Sequence, residues 1–143
     1  NKLWEEYVYR ILQKHKPKDY YVSPQNSTQF WETKRIKPDI VIKHKEETYI
    51  IDTKWKIVST YKPSDDDLKQ MFAYNLFWKA EKSMLLYPKI NQEDSIFGSY
   101  HHIPTEKERN QCKLGFINIL DENGLRESKQ IANEIFGKFM LVF

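Results

Sequence analysis

The chain is expected to adopt an α/β fold in which a mixed central β-sheet is flanked by helices. Three observations predict it. An amphipathic stretch opens the sequence, two β-rich runs follow with a short polar break between them, and a capped helix then leads into a continuous apolar run.

Residues 2–13 place Leu3, Trp4, Tyr7, Val8, Ile11 and Leu12 on one helical face, and the polar stretch His15-Lys16-Pro17-Lys18 ends that helix. Tyr20-Tyr21-Val22 and Gln29-Phe30-Trp31 suit an edge strand or a hairpin. Residues 39–43 and 48–57 are the central β-rich runs, and His44-Lys45-Glu46-Glu47 between them has the length of a hairpin loop. Ser64, with Asp67 three residues on, is a capping box for a helix over 65–81, and Asp65-Asp66-Asp67 are assigned to that helix start. Leu68, Met71, Phe72, Ala73, Leu76, Phe77, Trp78 and Ala80 make the helix apolar nearly all round, so burial is expected. Ser83 to Tyr87 then reads as a strand covered on both faces, and a right-handed crossover through the helix makes it parallel to the 48–57 strand. Residues 89–111 are polar and broken by Gly98 and Pro104, with Ser99–Ile103 as the strand candidate. Residues 114–120 (LGFINIL) read as a strand and about 126–136 as a closing helix, while Phe139 to Phe143 are too apolar for a free tail.

With 143 residues, 40% of them hydrophobic, the chain is long enough for one domain with a proper core. It opens without Met on an amphipathic pattern, which suggests a fragment of a longer protein. The net charge of +3 is compatible with a polyanionic partner without demonstrating one. Cys112 is the single cysteine, which excludes an internal disulfide and a Cys-based zinc site; a buried hydrophobe in a reducing cytoplasm is expected. No apolar run approaches the ~20 residues of a membrane span, so no membrane partner is expected.

The chemistry concentrates in the 39–57 region. If Lys43 pairs with Thr48, Asp39 falls opposite Asp52, and Lys54, two residues beyond Asp52, points to the same side. Two carboxylates at roughly 5 Å repel by about 3 kcal/mol at an effective dielectric near 20. Lys54 supplies one compensating charge, and a hard divalent ion with oxygen ligands, such as Mg²⁺, would complete the balance. On the 65–81 helix Gln70 and Tyr74 lie one turn apart, and an amide buried without partners costs on the order of 1 to 3 kcal/mol, so a polar site floor is expected beside Gln70. Lys34, Arg35, Lys37 and Lys56 flank the strands as candidate phosphate contacts. His101 and His102 are adjacent and face opposite sides of a strand, which suits neither for a shared metal. Trp31, Trp55 and Trp78 are assigned to the core.

A helix, a three-stranded meander, a helix and a strand, with acids on strands two and three, resembles the core of the PD-(D/E)xK, or restriction-endonuclease-like, nucleases. That superfamily often places an acid on its first helix, where Glu5 and Glu6 are the candidates. Glu5 lies roughly 110° from the centre of the apolar face and Glu6 roughly 150°, which favours Glu5. Gln70 and Tyr74 resemble the Gln-x-x-x-Tyr element of some members, which lines the site and contacts metal-bound water or substrate. More narrowly, LWEEYVYRIL, KPDIVI, IIDTKWK and DDDLKQMFAYNLFW, spanning residues 3–78, resemble the C-terminal nuclease domain of the McrC family, from McrBC-type modification-dependent restriction systems.

That resemblance implies metal ligation by Asp39 and Asp52, a catalytic Lys54, and support from Gln70 and Tyr74. With it come the Thr53 carbonyl as a further ligand of Mg²⁺ or Mn²⁺ and Glu5 as a direct or water-mediated one. DNA is the implied substrate. An upstream domain that engages a GTP-driven AAA+ motor is implied too, as is dimerisation for double-strand cleavage. A RecB-like exonuclease or junction resolvase fits the same residues, the Gln70-Tyr74 element suiting the former. So does a catalytically silent DNA- or partner-binding module on this fold, against which the intact acid-acid-lysine set argues.

Overall fold

A computed structural model describes residues 2–55, 63–101 and 110–139. The first helix, α1 (Lys2–His15), buries Trp4, Val8, Ile11 and Leu12. Leu3, expected on that face, is exposed instead, because the buried stripe follows the 4, 8, 11, 12 spacing and leaves position 3 outside it. After it come β1 (Tyr20–Pro24), β2 (Thr28–Trp31), β3 (Lys34–Ile36), β4 (Ile40–His44) and β5 (Glu47–Thr53). Helix α2 (Asp65–Trp78) precedes β6 (Lys82–Pro88), and β7 (Gly98–Ser99), β8 (Gln111–Ile117), β9 (Leu120–Asp121), β10 (Gly124–Leu125) and α3 (Ser128–Gly137) complete the described elements.

Six strands form one sheet in the order β1-β4-β5-β6-β8-β7, while β2–β3 and β9–β10 are separate two-stranded ribbons. The sheet is mixed. Neighbours β1, β4 and β5 run antiparallel, and the passage through α2 makes β6 parallel to β5 and β8 parallel to β6. The fold is therefore the expected mixed α/β sheet flanked by helices. Of the two early β segments, Tyr20–Pro24 joins the main sheet as an edge strand and Thr28–Trp31 pairs with Lys34–Ile36.

Alternation along the strands divides the core into two faces. Ile40, Ile42, Tyr49, Ile51, Met84 and Leu86 point to the side covered by α1 and α3, where Ile131, Ile135, Phe136 and Phe139 meet them. Val41, Ile50, Leu85, Tyr87, Leu114 and Phe116 point to the side of α2, onto which Met71 and Tyr74 pack. Burying each such aliphatic side chain contributes on the order of 1.5 to 3 kcal/mol, so both faces are anchored. The expected tail packing holds for Phe139, and residues 140–143 lie outside the described residues. Cys112 is a free, buried thiol, as expected.

Helix α2 departs from expectation. Met71, Tyr74 and Asn75 are its buried residues, while Leu76 and Phe77 are 49% and 45% exposed. The helix lies on the sheet by one side, and on its outer side Phe77 meets Phe30 of the β2–β3 ribbon at 5.6 Å between ring centroids. Nor are Trp31 and Trp55 core residues, being 65% and 52% exposed; Trp78 is half-buried against Tyr74.

Candidate active site

The hairpin register is the one the sequence predicts. Lys43 pairs with Thr48 and Ile40 with Ile51, so the next position outward sets Asp39 opposite Asp52. His44 and Glu47 also pair, which shortens the expected tetrapeptide loop to Lys45-Glu46, with Lys45 taking the left-handed conformation at φ 56. Asp52 shares its face with Ile50, the face toward α2, and Lys54 follows two residues later.

The two acids are held differently. One Asp39 carboxylate oxygen, Oδ2, accepts from both the backbone N–H and the hydroxyl of Thr53, each at 2.8 Å. The opposite end of the same residue is fixed as well, its carbonyl accepting from the Gln25 N–H at 2.9 Å. Asp52 is 5% exposed and its carboxylate lies 3.0 Å from Lys54 Nζ. Burial first, and the Asp39 charge second, push the Asp52 carboxyl up to about 6, against the opposing pull of Lys54. A buried carboxyl left short of positive charge beside a second carboxylate is a place where a divalent cation fits.

Lys54 has a second partner that the sequence did not disclose. Its Nζ lies 3.3 Å from Asp67 Oδ1 in the first turn of α2. Burial works to lower the Lys54 ammonium, but Asp52 and Asp67 outweigh it and hold the group above its ordinary value. Ser64 does cap α2, its hydroxyl accepting from the Asp67 N–H at 3.0 Å. The Asp67 carboxylate, however, turns to Lys54, so its assignment to the helix start is corrected: backbone and side chain of Asp67 do separate things. A carboxylate three residues past an N-cap was the available signal, yet that position serves capping often enough to hide a second use.

Tyr74 is buried on α2 and donates from its hydroxyl to the Lys37 carbonyl at 3.0 Å. Burial, then the charges of Asp52 and Asp39, raise its phenol well above the usual range. Its bond thus pins the Lys37-Pro38 step that leads into Asp39. Gln70 is exposed on α2, so the expected buried amide in need of a polar floor is corrected: the helix contacts the sheet through Met71 and Tyr74, and position 70 falls at the margin of that contact. It still lies between Asp67 and Tyr74 along one helical stripe.

Glu5 reaches the site from the other side of the sheet. Trp4 is buried and donates its indole N–H to the Leu86 carbonyl at 3.2 Å, and its ring lies 5.7 Å from that of Trp55. These contacts bring the start of α1 to the end of β5. Glu5, Gln25 and Asp39 line one cavity of about 510 Å³, with Glu5 accepting from the Gln25 side-chain amide. Glu6 lines the same cavity but is exposed, and it pairs with Arg10 at 2.7 Å. Among the described residues no three His, Cys, Asp or Glu side chains converge on a metal position. Two carboxylates with room for waters match Mg²⁺, which keeps several waters and binds through one or two carboxylates, better than an all-protein cage.

Lys34, Arg35 and Lys37 are exposed on or next to the β2–β3 ribbon, with Arg35 bonded to Ser27 through its Oγ and carbonyl. Lys56 and His102 lie outside the described residues, and His101 is exposed.

Residues 1–88 match the family described as McrBC 5-methylcytosine restriction system component. No curated protein matches the chain. Among solved structures, the fold is similar to a chain of the refined half-complex from the tetradecameric assembly of Thermococcus gammatolerans McrB AAA+ hexamers with bound McrC. That likeness has a TM-score of 0.73 at 16% identity and covers 97% of this chain and 33% of that one. This chain therefore spans about a third of the length of that relative, and at such identity the likeness is one of fold. A weaker likeness, TM-score 0.44 at 15% identity over 61% of this chain and 47% of the other, is to the crystal structure of the protein of unknown function AF1548.

Proposed function

Because this chain belongs to the family of McrBC 5-methylcytosine restriction system components, we propose that it is the DNA-cleaving domain of such a system. It is a metal-dependent endodeoxyribonuclease of the PD-(D/E)xK type in this proposal. The observation that carries it is the placement of Asp39 opposite Asp52 on the hairpin, with Asp52 buried and Lys54 Nζ at 3.0 Å from its carboxylate.

Asp39, Asp52 and the Thr53 carbonyl would hold Mg²⁺ or Mn²⁺, with Glu5 through water; the bound ion would acidify a water and offset charge on the phosphate. Lys54 orients the attacking water and faces the negative charge that grows on phosphorus. The water oxygen adds to phosphorus, one ester P–O bond breaks, and a proton passes to the departing alkoxide. Tyr74 positions the backbone ahead of Asp39, and exposed Gln70 is free to meet substrate or its water shell. Lys34, Arg35, Lys37 and Lys56 steer the phosphate backbone toward the acids.

The solved assembly with a similar fold contains McrB AAA+ hexamers with bound McrC. A GTP-driven AAA+ motor acting through a region outside these residues is the proposed partner, with pairing of two nuclease domains for double-strand cleavage in the cytoplasm. The test is plasmid cleavage by the full-length protein with its motor, GTP and Mg²⁺, on methylated and unmethylated DNA. Linear or nicked product that disappears in Asp39→Ala, Asp52→Ala and Lys54→Ala, each still folded, is the expected result. Cleavage by the acid variants at the wild-type rate would overturn the proposal.

A further inference from the structure

Strands β2 and β3 form a ribbon apart from the main sheet, and nearly every residue of it is exposed. A free two-stranded ribbon is marginal in water, so something must hold it. Its inner side does so: Phe30 lies against Phe77 of α2, and Ile36 packs into the core on the α2 side. Its base is fixed by Tyr74, whose hydroxyl binds the Lys37 carbonyl. These contacts use the same helix that carries Asp67 to Lys54, so the ribbon stands on the face of the sheet to which Asp52 and Lys54 belong.

Trp31 is not part of that anchorage. It pairs across the ribbon with Lys34 next to the Glu32-Thr33 turn, and at 65% exposed it presents most of an indole to solvent. Cross-strand partners share a side, so indole and ammonium project together at the turn end of the ribbon, beyond the register shift between Gln29 and Trp31. Arg35 follows on the other side of the ribbon, opposite Gln29, with two of its five N–H groups committed to Ser27. Between Thr28 and Lys37 there are three cations and one acid, Glu32.

We propose that the β2–β3 ribbon is a wing that grips double-stranded DNA, with Trp31 against bases or sugars in a groove and Lys34 and Arg35 on the phosphates. This rests on the proposed nuclease function and deepens it. Two arguments favour DNA over a protein surface. Protein interfaces keep charge away from the centre of an apolar patch, whereas here the exposed aromatic residue has a cation as its direct neighbour. An exposed ring with Lys and Arg beside it suits a duplex, the ring lying against sugars and groove edges while the cations meet phosphates. The acid pair also repels a polyanion, so attraction has to come from beside it, and the ribbon leads directly into Asp39.

The test uses the full-length protein with its motor partner and a fluorescein-labelled duplex, in EDTA so that the DNA stays whole, with affinity read by anisotropy across a salt series. Trp31→Ala should bind roughly tenfold more weakly with an unchanged salt slope, and Trp31→Phe should recover most of the loss. The Lys34→Ala, Arg35→Ala double variant should lower the slope of log affinity against log salt by about 2. Because all three side chains are exposed, thermal melting should be unchanged. If wild type cleaves plasmid but Trp31→Ala binds duplex as well as wild type does, the wing fails and the nuclease assignment stands. Should Trp31→Ala keep its DNA affinity and instead lose the motor or its self-association in sedimentation, the ribbon is a protein-docking surface. Wild type that neither binds duplex nor cleaves it removes both.

Discussion

Asp67, in the first turn of α2, places Oδ1 3.3 Å from the Nζ of Lys54 at the end of β5. The pair joins helix to sheet across the proposed site, and with Asp52 at 3.0 Å on its other side Lys54 is held between two acids. An ammonium on a four-carbon stem has many rotamers, and two charged partners restrict them to those that face the acid pair. Asp67→Asn should therefore slow cleavage on the order of tenfold, with kcat affected more than KM, because the loss is of orientation rather than of substrate contact. Rescue by Asp67→Glu is expected. A fall in KM affinity with unchanged kcat would place Asp67 in DNA binding instead.

Asp52 makes stability depend on pH in a direction opposite to an ordinary salt bridge. Its folded value of about 6 lies above the usual 3.8, so its protonated form suits the folded state. The contribution is complete at acid pH and is lost as pH rises from about 4 through 6, a difference of roughly 2 to 3 kcal/mol. Asp52→Asn should accordingly be more stable than wild type at pH 7.5 without metal, and that advantage should shrink by pH 5. Denaturant melts of both proteins at the two pH values measure it. Mg²⁺ should stabilise wild type at pH 7.5 more than at pH 5 and leave Asp52→Asn almost unmoved. An Asn variant less stable at pH 7.5 would show that the two carboxylates do not repel as placed.

Glu5 and Glu6 separate by partner. Both line the cavity that Asp39 lines, but Glu5 accepts from the Gln25 amide, whereas Glu6 is exposed and paired with Arg10, an arrangement of typically less than 1 kcal/mol. Glu5→Gln should weaken Mg²⁺ dependence and lower cleavage several-fold in the full-length nuclease, while Glu6→Gln stays near wild type. Loss confined to Glu6→Gln would mean that α1 presents its other side.

Tyr74→Phe removes the hydroxyl that Lys37 accepts, at a cost of about 1 kcal/mol in stability, more if the carbonyl is left without a partner. Cleavage should drop alongside, since the step into Asp39 loosens. Equal melting and equal rates in the Phe variant would remove Tyr74 from the site.

Much of this was legible in the chain. The hairpin register followed from strand period and loop length, because a one-residue slip would send Ile40, Ile42 and Ile51 to the wrong face. The parallel return of β6 followed from the capped helix between two apolar runs. What could not be read were contacts between distant segments. Asp67 looks like any acid at a helix start until Lys54 is brought beside it. The outer side of α2 looks like core until Phe30 is seen to meet Phe77, and Trp31 looks buried because Trp usually is. Periodicity tells which side of an element is apolar, not what covers it.

Lys54 is held between Asp52 and Asp67, and Asp39 lies across the hairpin from Asp52, so three carboxylates share the site with the Lys54 ammonium. Fully ionised, these four groups carry a net charge of two minus before any DNA arrives. A phosphodiester would add a third, at several kcal/mol of repulsion over contact distances. One divalent cation brings the resting sum to zero, whereas Na⁺ or K⁺ leaves it short. For the proposed nuclease the consequence is an expected order of events, the ion loading first and DNA second. Cleavage under this constraint should show compulsory-order kinetics, with excess DNA unable to substitute for scarce ion.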